Sequence, residues 1–236
     1  MPPTTQPGPA APQKPVLGAD PETARILLRI GAVGVRPAEP YIFTSGWASP
    51  VYIDCRRLIS FTAERRHVIA KALDVFYEAT GFDAIDAVAG GETAGIPYAA
   101  WLAEAMSKPM LYVRKKPKGF GRNAQIEGTF ADDDRVLLVE DLASDGASKI
   151  AFVEALRTAG ATVTDAFVVF YYGIFPGALD TLADAGIRLH YLATWWDILR
   201  EAEAGEHFPA ADLAEVRAFL GDPVRWSAAH GGRDSL

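Results

Sequence analysis

Two adjacent carboxylates, Glu140 and Asp141, and the turn of small residues that follows, Ala143-Ser-Asp-Gly-Ala-Ser148, form the stretch of this chain best suited to chemistry. A four-residue apolar run, Val136 to Val139, precedes them, bounded by charge on both sides, as in a strand buried on both faces. A strand that ends in two acids and turns through small residues into a helix N-terminus suits a sugar phosphate. Free N–H groups and the helix dipole bind the phosphate, and the acids accept hydrogen bonds from sugar hydroxyls. An acidic helix cap would account for one acid, but not for two acids together with the turn. The P-loop pattern G-x-x-x-x-G-K-S/T is absent.

Two further loops carry candidate residues. Gly90-Gly-Glu-Thr-Ala-Gly95 is glycine-rich, which allows either close approach of backbone to an anion or a plain tight strand–helix turn. Arg114-Lys-Lys-Pro-Lys-Gly-Phe-Gly-Arg122 packs five cations into nine residues. Its proline and two glycines predict an arm able to close over a polyanion rather than a charged helix face. Gly119 to Ala124 also matches G-x-G-x-x-A. Basic residues rather than an apolar strand precede it, and it opens no helix directly, so the dinucleotide reading is set aside.

The elements that must position these loops alternate. Asp20-Pro-Glu predicts a helix start, and a helix with Ala24, Leu27 and Leu28 ends before Gly31. Two β-prone runs, Tyr41–Phe43 and Val51–Ile53, are expected to pair as a hairpin through Thr44–Pro50. Val68, Ile69, Ala72, Leu73 and Phe76 recur at helical spacing over about Thr62–Ala79. Strands are expected at Ile85–Ala89, Met110–Val113, Val136–Val139, Val163–Tyr172 and Ile187–Ala193. Helices are expected at about Ile96–Met106, Ala147–Ala159, Pro176–Ala185, Trp195–Ala204 and Ala210–Leu220, with a polar tail after them. This alternation predicts an α/β parallel sheet, with ligands beyond the carboxyl ends of its strands.

Composition bounds the remaining possibilities. The chain has 236 residues, half of them hydrophobic, enough for one good core. A formal charge of −7 argues against nucleic acid as a partner. No apolar run approaches a membrane span, the N-terminus lacks the apolar core of a signal peptide, and the single cysteine, Cys55, fits a reducing, cytoplasmic setting. Residues 1–18 hold six prolines and one cation, Lys14, and are expected to be a disordered tail.

Val139-Glu-Asp-Leu-Ala-Ser-Asp-Gly-Ala-Ser148 resembles the phosphoribosyl-diphosphate (PRPP) motif of type I phosphoribosyltransferases. Phe43-Thr-Ser-Gly-Trp-Ala-Ser-Pro-Val-Tyr-Ile-Asp54, Thr93-Ala-Gly-Ile-Pro-Tyr-Ala-Ala-Trp101, Tyr112-Val-Arg-Lys-Lys-Pro-Lys118 and Gln125-Ile-Glu-Gly128 together resemble orotate phosphoribosyltransferase, in order from about Asp20 to Ala204. The acidic motif alone fixes only the superfamily; the combination is specific. The resemblance implies a parallel sheet flanked by helices with a small N-terminal hood containing the β-hairpin. The phosphoribosyltransferase domain would span 19–205, with the hood at about 20–60, and a C-terminal helix and polar tail would occupy 206–236.

It also implies a reaction. The family transfers the 5-phosphoribosyl group of PRPP to orotate, with Mg²⁺, giving orotidine 5′-monophosphate and diphosphate in pyrimidine synthesis. Glu140 and Asp141 would bind the ribose hydroxyls, with Leu142 and Ala143 completing the motif. Backbone N–H groups of Ser144, Asp145, Gly146, Ala147 and Ser148 would hold the 5′-phosphate. Ser144 would also face the base. Arg114 and Lys118 would reach the diphosphate from the neighbouring subunit of a homodimer, supported by Lys115 and Lys116. Lys118, Arg114 and Asp141 are the expected catalytic residues, and no residue is expected to ligate the metal directly. Arg56 matches a family arginine that would meet orotate; a surface or structural salt bridge is the other reading.

Three departures from the family pattern stand out. Phe120 occupies a position usually held by histidine, Trp47 and Ala48 replace a basic residue often found in the hairpin turn, and Asp145 stands where threonine is common. They bear on base specificity and turnover more than on PRPP binding. A sibling transferase using another nucleobase is the alternative enzyme. A non-catalytic PRPP-sensing regulator is the alternative of another class, although the N-terminal extension lacks the basic segment expected of a DNA-binding regulator.

Overall fold

The structure, a computed structural model, describes residues 20–119 and 125–235. The tail expected at 1–18, Phe120 and Arg122 therefore lie outside the described residues. Helix α1 (Pro21–Arg29) begins where Asp20 accepts a hydrogen bond from the Thr23 N–H and proline takes the first turn. A small antiparallel layer follows: β1 (Val33–Val35), β2 (Tyr41–Ile42), β3 (Ala48–Ser49) and β4 (Val51–Ile53). The expected hairpin is present but its partner is corrected. β2 pairs with β3, while Val51–Ile53 pairs with β1. The switch falls at Pro50, which has no N–H to continue a ladder; its carbonyl accepts instead from the Arg36 N–H at 2.7 Å.

Helix α2 (Thr62–Ala79) buries Val68, Ile69, Ala72 and Phe76 of the stripe its spacing predicts, with Leu73 only partly buried. The remaining elements are β5 (Ala87–Gly91), α3 (Gly95–Met106), β6 (Met110–Val113), β7 (Ile126–Glu127), β8 (Val136–Ala143), α4 (Ala147–Thr158), β9 (Asp165–Tyr171), α5 (Ala178–Asp184), β10 (Arg188–Thr194), α6 (Trp195–Ala204), α7 (Ala210–Gly221) and α8 (Pro223–Ala229). The segment expected to be a polar tail thus holds a helix. Its Asp222 cap and Pro223 repeat the signal that starts α1.

Six strands form one sheet in the order β10-β9-β8-β5-β6-β7, all parallel except the short antiparallel β7. One face carries a core of α1, α2, α3, α6 and α7 residues with the N-terminal layer. The other carries a core of α4 and α5 residues, including Phe152, Leu156 and Leu182. The chain leaves β5 toward β6 on one side and returns as β8 on the other. The β5/β8 boundary is therefore the topological switch point, where the ends of neighbouring strands part and a ligand crevice opens.

Candidate active site

β8 runs eight residues, so Glu140 and Asp141 lie within the strand and not beyond its end as expected. The pairing explains both the length and the opening. On one side β8 stays paired with β9 as far as Ala143↔Tyr171, but on the other its ladder with β5 stops at Gly90↔Val139. From Glu140 onward one edge of β8 is open. Successive strand residues point to opposite faces, so the two carboxylates straddle the sheet, Glu140 toward α4 and Asp141 toward the Cys55 side.

A cleft of about 1110 Å³ opens at this edge. Its floor holds Glu140, Asp141, Leu142 and Ser148, and one rim holds Glu92, Thr93 and Ala94, the turn between β5 and α3. The opposite wall comes from the hairpin layer: Ile42, Phe43, Tyr52 and Arg56, with Tyr172 beneath them. Gly90 and Gly91, expected in the turn, belong to β5, and their smallness serves packing, Gly90 against the start of α3 and Gly91 against Glu140 of β8. A Cβ on Gly91 would collide with Glu140 Oε1 and stand 2.8 Å from Phe152 Cε2.

The electrostatics centre on Glu140. Burial pushes its carboxyl up to about 7, and neighbouring Asp141 adds to the rise, while Lys149 opposes it. Lys149 Nζ lies 3.7 Å from Glu140 Oε2, and both side chains are nearly buried. Glu140 Oε1 is buried against the Gly91 backbone with no hydrogen-bond partner among the described residues. Asp141 is likewise raised by burial, against the pull of Lys149 and of the Leu142 N–H, which donates to its Oδ1 at 2.9 Å. Cys55 is fully buried, and burial raises its thiol well above the usual range, so it is no nucleophile.

Other expected residues divide. Ser144, Asp145, Gly146 and Ala147 form the turn from β8 into α4 but do not line the cleft. Asp145 Oδ1 accepts from the Ala147 N–H at 3.1 Å, so one of the donors expected for phosphate is engaged by the chain itself. Arg56 lines the cleft and is also salt-bridged, its Nε 2.6 Å from Asp54 Oδ1 and its Nη2 3.2 Å from the Tyr52 hydroxyl. Both readings of Arg56 therefore coexist.

Among the described residues of the cationic loop only Lys115 lines this chain's own cleft, its backbone N–H donating to Glu92 Oε2 at 2.8 Å. Arg114 turns to Glu127 at 3.5 Å, and its backbone is tied to Gln125 through two hydrogen bonds. Lys116 and Lys118 are exposed and line no part of the cleft. Sequence reasoning missed Lys149. A lysine in the first turn of a helix opposes the helix dipole, and that misfit was its available signal. It also missed Tyr172 and Glu92.

A parallel sheet with this switch point, two acids on its open edge and a small-residue turn into a helix defines a type I phosphoribosyltransferase. Comparison with known proteins narrows the class. The chain is 53% identical over 212 residues to the orotate phosphoribosyltransferase of Cereibacter sphaeroides, covering 90% of this chain and 91% of that protein. It is 49% identical over 213 residues to that of Agrobacterium fabrum, covering 90% and 92%. Among solved structures, orotate phosphoribosyltransferase from Aeropyrum pernix superposes with a TM-score of 0.65 at 37% identity, covering 77% of this chain and 98% of that one. UMP synthase of Leishmania donovani superposes with a TM-score of 0.73 at 30% identity, covering 86% of this chain. The match spans 42% of that longer protein. No family model matches the chain. The chain belongs to the orotate phosphoribosyltransferase family.

Proposed function

We propose that this cleft transfers the 5-phosphoribosyl group from PRPP to orotate, giving orotidine 5′-monophosphate and diphosphate. The observation that carries the reading is the pair Glu140 and Asp141 on the unpaired edge of β8, beside the turn at residues 144–146. The ribose hydroxyls donate to the two carboxylates on the cleft floor. The 5′-phosphate takes the free N–H groups from Ser144 to Ser148 at the start of α4. Orotate lies against the hairpin wall, its carboxylate toward Arg56, and Ser144 reaches the base from the turn.

The bond from C1 to diphosphate breaks through an oxocarbenium-like state, so charge builds on the leaving group. Lys118 and Arg114 stabilise that charge more in the transition state than in the ground state, with Lys115 and Lys116 in support. Asp141 and Glu140 place negative charge near the positive ribosyl. The cationic loop, once closed, excludes water from the reactive sugar. Arg114 and Lys118 lie away from their own cleft, which supports a homodimer in which each loop serves the neighbouring site.

Mg²⁺ fits the hard hydroxyl and diphosphate oxygens that PRPP itself would bring to the cleft, with no residue of the chain ligating it directly. Bound with PRPP, it would neutralise charge on the diphosphate. The proposal extends to a hood at about 20–60, within a catalytic domain of 19–205, and to a cytoplasmic setting. Among the described residues no helix is long and apolar enough to cross a membrane.

The test is diphosphate release with PRPP, Mg²⁺ and a panel of bases. Turnover of orotate is expected. Activity on a purine or uracil with none on orotate would sink the reading, and PRPP binding without turnover of any base would favour a regulator.

A further inference from the structure

Trp47 and Ala48, the residues that set this hairpin turn apart from the family pattern, are buried at 8% and 0% exposure. What covers them is the C-terminal segment, residues 222–235. The Ala48 N–H donates to Ser227 Oγ at 3.1 Å, in a fully buried contact. The Arg233 N–H donates to the Gly46 carbonyl at 2.8 Å. The Arg233 guanidinium stands 5.4 Å over the Trp47 ring. Gly232 lies so close that a Cβ there would stand 2.7 Å from Ala48 Cβ and would collide with the Ala48 nitrogen.

The segment is itself firmly seated. Trp226 packs edge-on against Phe219 at 5.5 Å, stacks on His230 at 3.6 Å and donates its indole N–H to Glu215 Oε2 at 2.9 Å.

The other side of the same turn is the cleft wall. Ile42, Phe43 and Thr44 line the cleft, and they are joined to the seat by two short backbone bonds, Phe43 N–H to Trp47 O at 2.9 Å and Gly46 N–H to Phe43 O at 2.8 Å. A second path runs through rings: Trp47 contacts Phe175 at 5.3 Å, and Phe175 stacks on the cleft residue Tyr172 at 6.2 Å and 12°. A displacement of residues 46–48 would therefore reach the wall by two independent routes.

We propose that the C-terminal segment positions the acceptor-base wall of the cleft, with Ser227, Gly232 and Arg233 as its positioning residues. This rests on the function proposed above. The PRPP-holding residues Glu140 to Ser148 lie on β8, the start of α4 and the turn between them; the hairpin route does not touch them, and the ring route stops at Tyr172, whose backbone N–H donates to the Ala143 carbonyl at 2.9 Å. The latched wall is apolar and aromatic, as suits a flat base. Loss of the latch should therefore be felt by the acceptor more than by PRPP.

The test compares Gly232→Val, Arg233→Ala and Ser227→Ala with the unaltered chain, measuring KM for orotate and for PRPP, direct PRPP binding and Tm. Expected for Gly232→Val is a rise of about tenfold or more in KM for orotate, in the range that a displaced positioning group causes, with PRPP binding within about twofold of the unaltered chain. Arg233→Ala should move the same way and Arg233→Lys should recover part of the loss, because lysine keeps a cation over Trp47. Should Gly232→Val fail to fold, the two other substitutions decide. A lower Tm with both KM values unchanged, or equal rises in both, overturns the proposal. Failure of the underlying function is seen separately, as an unaltered chain that releases no diphosphate with orotate, and it overturns both.

Discussion

Lys149 Nζ stands 3.7 Å from Glu140 Oε2, reaching back from the first turn of α4 to the strand that turn follows. The pair is nearly buried, and Glu140 nonetheless sits at about 7, because desolvation outweighs the lysine's attraction. Removing Lys149 leaves a buried carboxylate without its counter-charge. The Glu140 carboxyl answers by taking up a proton, which it can do near neutral pH. Lys149→Met is therefore expected to fold, to raise the Glu140 pKa further, and to weaken PRPP binding at pH 7 by about fivefold for the first unit of added shift and about tenfold for each unit beyond it. PRPP titration at pH 7 and pH 9 checks this; equal weakening at both values would show that Lys149 acts by another route.

The same group sets a pH dependence in the unaltered protein. A ribose hydroxyl donates best to an ionised carboxylate, and Glu140 is ionised only above about 7. PRPP affinity should thus fall as pH drops from 8 to 6, approaching tenfold per unit at the acid end. Glu140→Gln cannot titrate and should give a flat, weak profile across that window. A wild-type profile as flat as the variant's would remove Glu140 from ribose recognition.

Lys118→Ala should lower kcat by about 10²-fold or more, the range for losing a positioned electrostatic donor, with Tm unchanged because Lys118 is exposed. Mixing Lys118→Ala with Asp141→Asn subunits tests where the loop acts. In a symmetric dimer with exchanged loops each mixed pair has one intact site, so about half the activity per mixed dimer should return. A mixture no more active than its parents would place the loop over its own cleft.

Away from the site, Asp165 anchors the opposite end of the sheet. Burial would raise its pKa, but hydrogen bonds from His190 Nε2 at 2.6 Å, Arg188 Nε at 2.7 Å and Thr164 Oγ1 at 2.8 Å win and bring it down to about 2. The stabilisation is complete above the ordinary aspartate value of 3.8 and is lost as pH falls through about 2. It amounts to about 2–3 kcal/mol. Asp165→Asn should lower Tm at pH 7 and lose less on acidification from pH 4 to 2 than the unaltered chain. Parallel acid losses in both would assign the effect elsewhere.

Much of this was legible in the residues. α1 starts where its Asp20-Pro21 cap places it and α2 falls where its periodicity places it, because each signal is local. The misreadings are places where a distant partner decides. Glu140-Asp141 reads as a strand stop, yet continued pairing with β9 carries β8 on to Ala143. Val51-Tyr-Ile53 is the most β-prone run near the hairpin, yet Pro50 hands it to β1. Trp47 looked like a lost functional cation, and only the fold brings residues 227–233 against it. The start of α8 was available locally, since Asp222-Pro223 repeats Asp20-Pro21, but the polar residues after it hid the buried Trp226.

Gly91 gives the last test, of why glycines lead into the turn at 92–94. The β5 backbone there lies against the Glu140 carboxylate and the Phe152 ring, with no space for a methyl group. Gly91→Ala must push the Glu140 side chain aside or shift β5 from β8, at a cost of about 1–3 kcal/mol for overpacking a tight site. Because the displaced group is the proposed ribose acceptor, PRPP binding should weaken along with Tm. Val153, buried in the same core but outside the cleft lining, supplies the control. Val153→Ala, a cavity in that core, should lower Tm comparably and leave PRPP binding near wild type. If both variants lose stability and neither loses PRPP affinity, the glycine serves packing alone and Glu140 is held in place by something other than the β5 backbone.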